Sequence, residues 1–160
     1  MFGLRKSYRE LPPEVAMLMG VPMFSALTRR ELEVLSGILH ERDYVGGEII
    51  FDEGEEGLGM YIIVTGRVKV LRKQGEEQKE LAVMGPGETF GELALLDGAP
   101  RAATAVAVED SRVLGFFRPE FLDIMETHHR IGMKISFALA VETGKRLRAS
   151  LNRERALASL

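Results

Sequence analysis

Cysteine and tryptophan are absent from these 160 residues, and histidine occurs only three times. Without cysteine, disulfides and thiolate metal sites are excluded, and a reducing, cytoplasmic compartment is compatible with the composition. The histidines are His40, His128 and His129. Adjacent rings such as His128 and His129 point in different directions on a helix or a strand, so this pair makes a poor metal site. No apolar run approaches membrane-spanning length, and Met1-Phe2-Gly3-Leu4-Arg5-Lys6 lacks the apolar core of a signal peptide. The chain therefore reads as soluble, with no membrane partner. Basic excess is missing too. A net charge of −3 gives no general attraction to nucleic acid.

What the chain has is enough length and apolar content for one packed core. Residues 1–11 read as a polar arm, and Pro12-Pro13-Glu14 suits the first turn of a short helix to Met19. This gives an N-terminal arm and helix over 1–20 and a main domain over 21–160. Thr28-Arg29-Arg30-Glu31 reads as a capping box that opens a helix. Its apolar face is Leu32, Leu35 and Leu39, and His40 is expected at its C-terminus, near the dipole. From Asp43 the pattern becomes short alternating runs cut by glycines, as in a small barrel. The runs predict strands near 42–45, 48–52, 59–65, 67–73, 79–84, 88–90, 103–109 and 112–117. Residues 60–70 read as a hairpin with alternate side chains inside. The expected fold class is α+β: a jelly-roll-type β-roll of about eight strands, short N-terminal helices and a long C-terminal helix.

One stretch organises the rest: Gly85-Pro-Gly-Glu-Thr-Phe-Gly-Glu-Leu-Ala-Leu-Leu-Asp-Gly-Ala-Pro-Arg-Ala-Ala-Thr104. It predicts a turn, an extended piece to Phe90, a brief helix begun at Gly91 and a second turn at Asp97-Gly98. Gly91 lets a ligand approach the backbone where a Cβ would collide. The first N–H groups of the short helix lack intrahelical acceptors and suit an anion. Arg101, followed by two alanines, offers a fork that fits a phosphate. Glu92 beside it makes sense only if the ligand also carries a hydroxyl donor near that phosphate. A small phosphate ester of a sugar meets both demands.

Phe-Gly-Glu-Leu-Ala followed by Pro-Arg-Ala-Ala-Thr resembles the phosphate-binding cassette of the cyclic nucleotide-binding domain family, without a gap. Gly-Glu-Ile-Ile-Phe-Asp-Glu-Gly and Met-Tyr-Ile-Ile-Val-Thr-Gly-Arg-Val resemble that family's β-roll, and the likeness covers roughly residues 22–150. It implies that Arg101 pairs with a cyclic phosphate and that Glu92 accepts from the ribose 2′-hydroxyl. Gly91, Leu93, Ala94, Ala102 and Ala103 would complete the cradle. Ala102 lacks the hydroxyl that in the family often accompanies cyclic GMP preference, so the resemblance leans toward cyclic AMP as ligand over cyclic GMP. Two departures are Leu58-Gly59, in a turn often more polar in the family, and Val106, where a basic residue is frequent.

Pro119-Glu120 opens a helix to about Thr127, and a long helix follows over about 130–155. Met133, Phe137, Ala140, Gly144, Leu147 and Leu151 form a heptad-like seam, beside a second strip of Ile131, Ile135 and Leu139. A homodimer through this helix is one expectation; burial of both strips within one chain is the other. Arg146, Arg148 and Ser150 are candidates to face a base, and sequence leaves the choice open.

A cupin-type metalloenzyme needs clustered histidines and carboxylates in the barrel, and none falls there. The chain is expected not to be an enzyme. A regulator of the catabolite activator group would continue into a helix-turn-helix domain, which the residues after Leu151 cannot make. The expectation is a stand-alone sensor that signals to a downstream protein through movement of the long helix. The alternatives are a degenerate member that keeps the fold as a protein-interaction module without nucleotide, and the truncated N-terminal sensor part of a catabolite activator-like transcription regulator.

Overall fold

A computed structural model describes residues 11–159. Most of the expected arm over 1–11 lies outside the described residues. Helix α1 (Pro13–Met19) carries its proline in the first turn and buries Val15 and Leu18. A 3-10 turn (Pro22–Phe24) follows, then α2 (Arg29–Ser36). The capping box at its start is complete. Glu31 N–H donates to Thr28 Oγ1, and Thr28 N–H donates to Glu31 Oε2.

Eight strands succeed: β1 (His40–Tyr44), β2 (Ile49–Phe51), β3 (Gly59–Thr65), β4 (Val68–Gln74), β5 (Glu77–Met84), β6 (Thr89–Phe90), β7 (Thr104–Ala107) and β8 (Ser111–Phe117). Between β6 and β7 lies α3 (Leu93–Asp97). After β8 come α4 (Arg118–Thr127) and α5 (His129–Ala158). The strands form two four-stranded antiparallel sheets, ordered β1-β8-β3-β6 and β2-β7-β4-β5.

Three expectations change. Helix α2 ends at Ser36, so Leu39 packs into the core from outside it, and His40 opens β1 opposite Gly115. The imidazole lies 3.0 Å from Glu120 Oε1 at the start of α4. The stretch 60–70 is not a hairpin. β3 pairs with β8 and β6, whereas β4 pairs with β5 and β7, so Gly66 turns a corner between sheets. Nor does β3 alternate buried and exposed. Tyr61 and Ile63 face the barrel interior with Phe51, Val68, Phe90 and Val113. Met60 and Ile62 face outward into a second core made with the helices. Both faces of this strand are therefore apolar, as in any sheet covered on both sides.

Helix α5 closes that second core through Ile131, Ile135 and Leu139. Lys134 adds an ion pair to Glu31 Oε2 at 2.7 Å, with both side chains mostly buried. One carboxylate thus caps α2 and anchors α5. Beyond Leu139 nearly every residue of α5 is exposed, and the helix projects past the core. Among the described residues no helix is long and apolar enough to cross a membrane.

The hydrogen bond from Lys134 holds the Glu31 carboxyl below its ordinary value near 4.5, against the opposing effect of burial. A depressed carboxyl contributes stability that is present above that ordinary value and lost as pH falls through the folded value. Lys134→Met should therefore cost about 1–3 kcal/mol at neutral pH, between an exposed and a buried pair. In urea titrations the difference from the unaltered protein should vanish at acid pH; a difference independent of pH would refute this account.

Candidate ligand-binding cavity

The turn from β6 into α3 is built on Gly91, whose φ of +74° suits a residue without a Cβ. Glu92 sits at the N-cap of α3, so the helix begins two residues later than expected. Its end is set by Gly98 in the left-handed region. The segment from Ala99 to Ala103 then runs back toward β7. There it is held by the loop after β2. Arg101 N–H donates to Glu55 O, and Gly54 N–H donates to Arg101 O, each at 2.8 Å. Gly57 lets this loop approach, because a Cβ there would stand 2.2 Å from Ala99 O and 2.6 Å from Ala94 Cβ.

This clamp fixes the Arg101 side chain, which is only 6% exposed. Nη1 donates to Gly59 O at 2.7 Å and to Gly91 O at 3.1 Å. The guanidinium carbon lies 3.9 Å from the centre of the Phe51 ring. Its Nε is buried with no hydrogen-bond partner. Among the described residues no carboxylate lies within ion-pair distance of it. Burial pulls the Arg101 pKa below its ordinary value, with Tyr61 and Glu55 opposing.

Around the guanidinium opens a cavity of about 480 Å³. All seven residues singled out in the sequence line it: Gly91, Glu92, Leu93, Ala94, Arg101, Ala102 and Ala103. Glu92 is 5% exposed, and its Oε1 accepts from Arg146 Nη1 of α5. Of the three candidates on the long helix, Arg146 alone lines the cavity; Arg148 and Ser150 do not. The rest of the lining is largely apolar: Phe51 from β2 beneath the guanidinium, Val70 from β4, and Ala82 and Met84 from β5. Val70 and Ala82 are register partners, as are Val68 and Met84, so they share the inward face.

Sequence reasoning missed this wall. Strand alternation could have nominated Val70 and Phe51, but the bulge between Val70 and Leu71 obscures which β5 residues turn inward. The arrangement can hold a small anion at the guanidinium, a hydroxyl at the Glu92 carboxylate and a flat apolar group against the β4–β5 wall. Among the described residues no three His, Asp or Glu side chains are grouped to hold a metal ion.

The family model for the cyclic nucleotide-binding domain matches residues 41–128. The chain belongs to that family. The cyclic AMP receptor protein of Thermus thermophilus is 35% identical over 122 residues, covering 76% of this chain and 56% of its own length. The type II regulatory subunit of cAMP-dependent protein kinase from Drosophila melanogaster is 36% identical over 131 residues, 82% of this chain and 32% of its own. Among solved structures, the Thermus thermophilus catabolite activator protein superposes with a TM-score of 0.79 at 34% identity, over 86% of this chain and 63% of that one. The chain thus spans little more than half of one curated relative and a third of the other. The β-roll with flanking helices is this family's fold, and the cavity lies within the matched segment save for Arg146.

Two glycines test the geometry. At Gly91 a Cβ would meet Arg101 Nη1 at 2.6 Å, and the φ disfavours any side chain. Gly91→Ala should cost about 1–2 kcal/mol of stability, the usual figure for a left-handed residue. Gly57→Ala, where the clash is with backbone, should cost about 3 kcal/mol or more by forcing the clamp apart. Thermal denaturation that ranks Gly91→Ala as the more damaging would contradict the assigned clamp.

Proposed function

We propose that the protein is a non-catalytic cyclic nucleotide sensor whose ligand is cyclic AMP. The observation that carries this reading is the buried Arg101 guanidinium, unmatched by any carboxylate among the described residues, opening onto a cavity beside the buried Glu92. A cation out of water without a countercharge is costly, and a bound phosphate would offset that cost. Arg101 would pair with the cyclic phosphate, while the N–H groups at Gly91, Leu93 and Ala94 and the backbone of Ala102 and Ala103 complete the cradle. Glu92 would accept from the ribose 2′-hydroxyl. The base would rest on Val70, Ala82 and Met84. Ala102, with no hydroxyl, favours cyclic AMP over cyclic GMP, and no metal is needed. The names of the Thermus and Drosophila relatives support the same ligand.

Signalling would run through α5. Arg146 reaches from that helix to Glu92, so the helix and the ribose site share one contact. A ligand that favours one placement of α5 shifts the population toward it. The output would pass to a downstream protein in the cytoplasm rather than to nucleic acid or membrane. The seam of α5 supports a homodimer as the working unit. Met133, Leu147 and Leu151 are exposed, and Phe137 is 71% exposed, all on one heptad-spaced line. The neighbouring strip of Ile131, Ile135 and Leu139 is buried within the chain.

Calorimetric titration of refolded, nucleotide-free protein with cyclic AMP and with cyclic GMP tests the ligand. Cyclic AMP should bind the tighter. Arg101→Ala should weaken it by about 2–5 kcal/mol, the cost of truncating a desolvated charge contact. Glu92→Gln should cost less, since its amide oxygen still accepts. Absence of heat with either nucleotide would overturn the sensor reading and favour a protein-contact module. Sedimentation should give a dimer that Phe137→Glu dissociates; a monomeric unaltered protein would remove the homodimer.

A further inference from the structure

Both hydrogen bonds that the Arg101 guanidinium makes, to Gly59 O and Gly91 O, leave from Nη1. Nε is buried without a partner, and among the described residues Nη2 donates to nothing. The free edge is therefore the Nε–Nη2 fork, which suits a bidentate anion. The guanidinium carbon itself lies over the ring of Phe51, 3.9 Å from its centre, against 5.9 Å for Tyr61. The first distance is close contact. The second is at the limit of attraction between a cation and a ring face.

Phe51 is held firmly in this place. It is buried on β2 opposite Ala105, with its ring centre 6.0 Å from that of Tyr61 and 5.8 Å from that of Phe90. A Cβ at Gly91 would stand 2.6 Å from Arg101 Nη1 and 3.4 Å from Phe51 Cε1, so the bend at Gly91 closes on cation and ring together.

An aliphatic side chain could fill the same space in the barrel, but only a ring face carries negative potential toward a cation. The attraction grows when the pair is out of water. A carboxylate would compensate the charge better, yet it would occupy the fork and repel an incoming anion. The ring compensates in part and leaves the fork open. A bound phosphate changes this balance, because an ion pair has no net charge for the ring to attract. Phe51 thus stabilises the nucleotide-free protein more than the bound one, and what favours the unliganded form lowers affinity.

We propose that Phe51 is a positioning residue for Arg101. Its ring takes the part of a counter-anion when no anion is bound, keeps the Nε–Nη2 fork open, and sets the affinity for the anion below what an aliphatic wall would give. The affinity half rests on the cyclic nucleotide reading above; the contact between ring and cation does not.

Mono-, di- and trifluorinated phenylalanine in place of Phe51 nearly preserve the ring's shape while drawing electron density off its face in steps. In urea titrations of the nucleotide-free full chain, the unfolding constant should rise with each fluorine, to about tenfold with three. In an Arg101→Met background the same series should be flat, since no cation remains. Equal slopes in the two backgrounds, or no slope in either, would overturn the contact. Should Arg101→Met fail to fold, the same series in place of Phe90 is the reference, a ring of the same cluster that does not lie under the guanidinium.

Calorimetry with cyclic AMP tests the second half. The trifluorinated protein should bind severalfold more tightly than the unaltered one. Equal or weaker binding would overturn the affinity half, whatever the unfolding series shows. No heat with the unaltered protein would remove the sensor reading and the affinity half together, and the unfolding series would still decide the contact.

Discussion

A guanidinium taken out of water and left, among the described residues, without a carboxylate is the constraint on which the rest of this structure depends. Neutral groups do what they can for Arg101. Two carbonyls accept from Nη1, and the face of Phe51 lies under the plane. Those contacts orient the charge without cancelling it. To keep it there, the backbone on either side of Arg101 is bonded to the loop after β2, and that loop approaches only because Gly57 has no side chain. Gly91 bends the chain so that its carbonyl turns toward the same guanidinium. Loop, turn and short helix are arranged around one unmatched charge.

How much of this was legible in the sequence follows from how local each feature is. The cassette residues sit within a few positions of one another, so their convergence on one cavity could be read directly. The capping box at Thr28 is equally local, and its geometry is complete. Features that depend on distant pairing were not legible. Residues 60–70 look like a hairpin, because two alternating runs flank a Thr-Gly turn. Only the pairing of β3 with β8 shows that the turn carries the chain from one sheet to the other. The buried outer face of β3 likewise needs helices from both ends of the chain. His40 followed an apolar face at helical spacing, but Gly37 and the pairing with Gly115 end the helix earlier. The cavity wall on β4 and β5 and the reach of Arg146 across 54 positions to Glu92 belong to the same class.

Helix α5 has two roles along one rigid rod. Its first half is core: Ile131, Ile135 and Leu139 are buried and Lys134 is paired with Glu31. Its second half is almost wholly solvent-exposed, and from there Arg146 reaches Glu92. The buried half opposes sliding or rotation, because packed side chains cannot move by fractions of an ångström without loss of contact. Any motion of the distal half would therefore come from bending, or from the α4–α5 pair moving as a unit. Gly132 favours the second route, since a Cβ there would stand 2.9 Å from Met125 Cα, which fixes α5 closely on α4.

That conclusion limits which contacts can drive a switch. Moving a two-state equilibrium from one side nearly wholly to the other takes about 5.5 kcal/mol of differential binding. A phosphate on Arg101 is worth that order of energy, but the guanidinium is fixed to the barrel, so the contact would be made whichever way α5 lies. It supplies affinity and no direction. Direction has to come from contacts that exist in one arrangement alone. Arg146 on Glu92 is placed to meet that condition, because it joins α5 to the cradle and would be broken if α5 swung away. On the proposed reading the site separates its tasks: a buried cation held by the barrel would bind the anion, and Arg146 at the edge of the cavity would report that the anion has arrived.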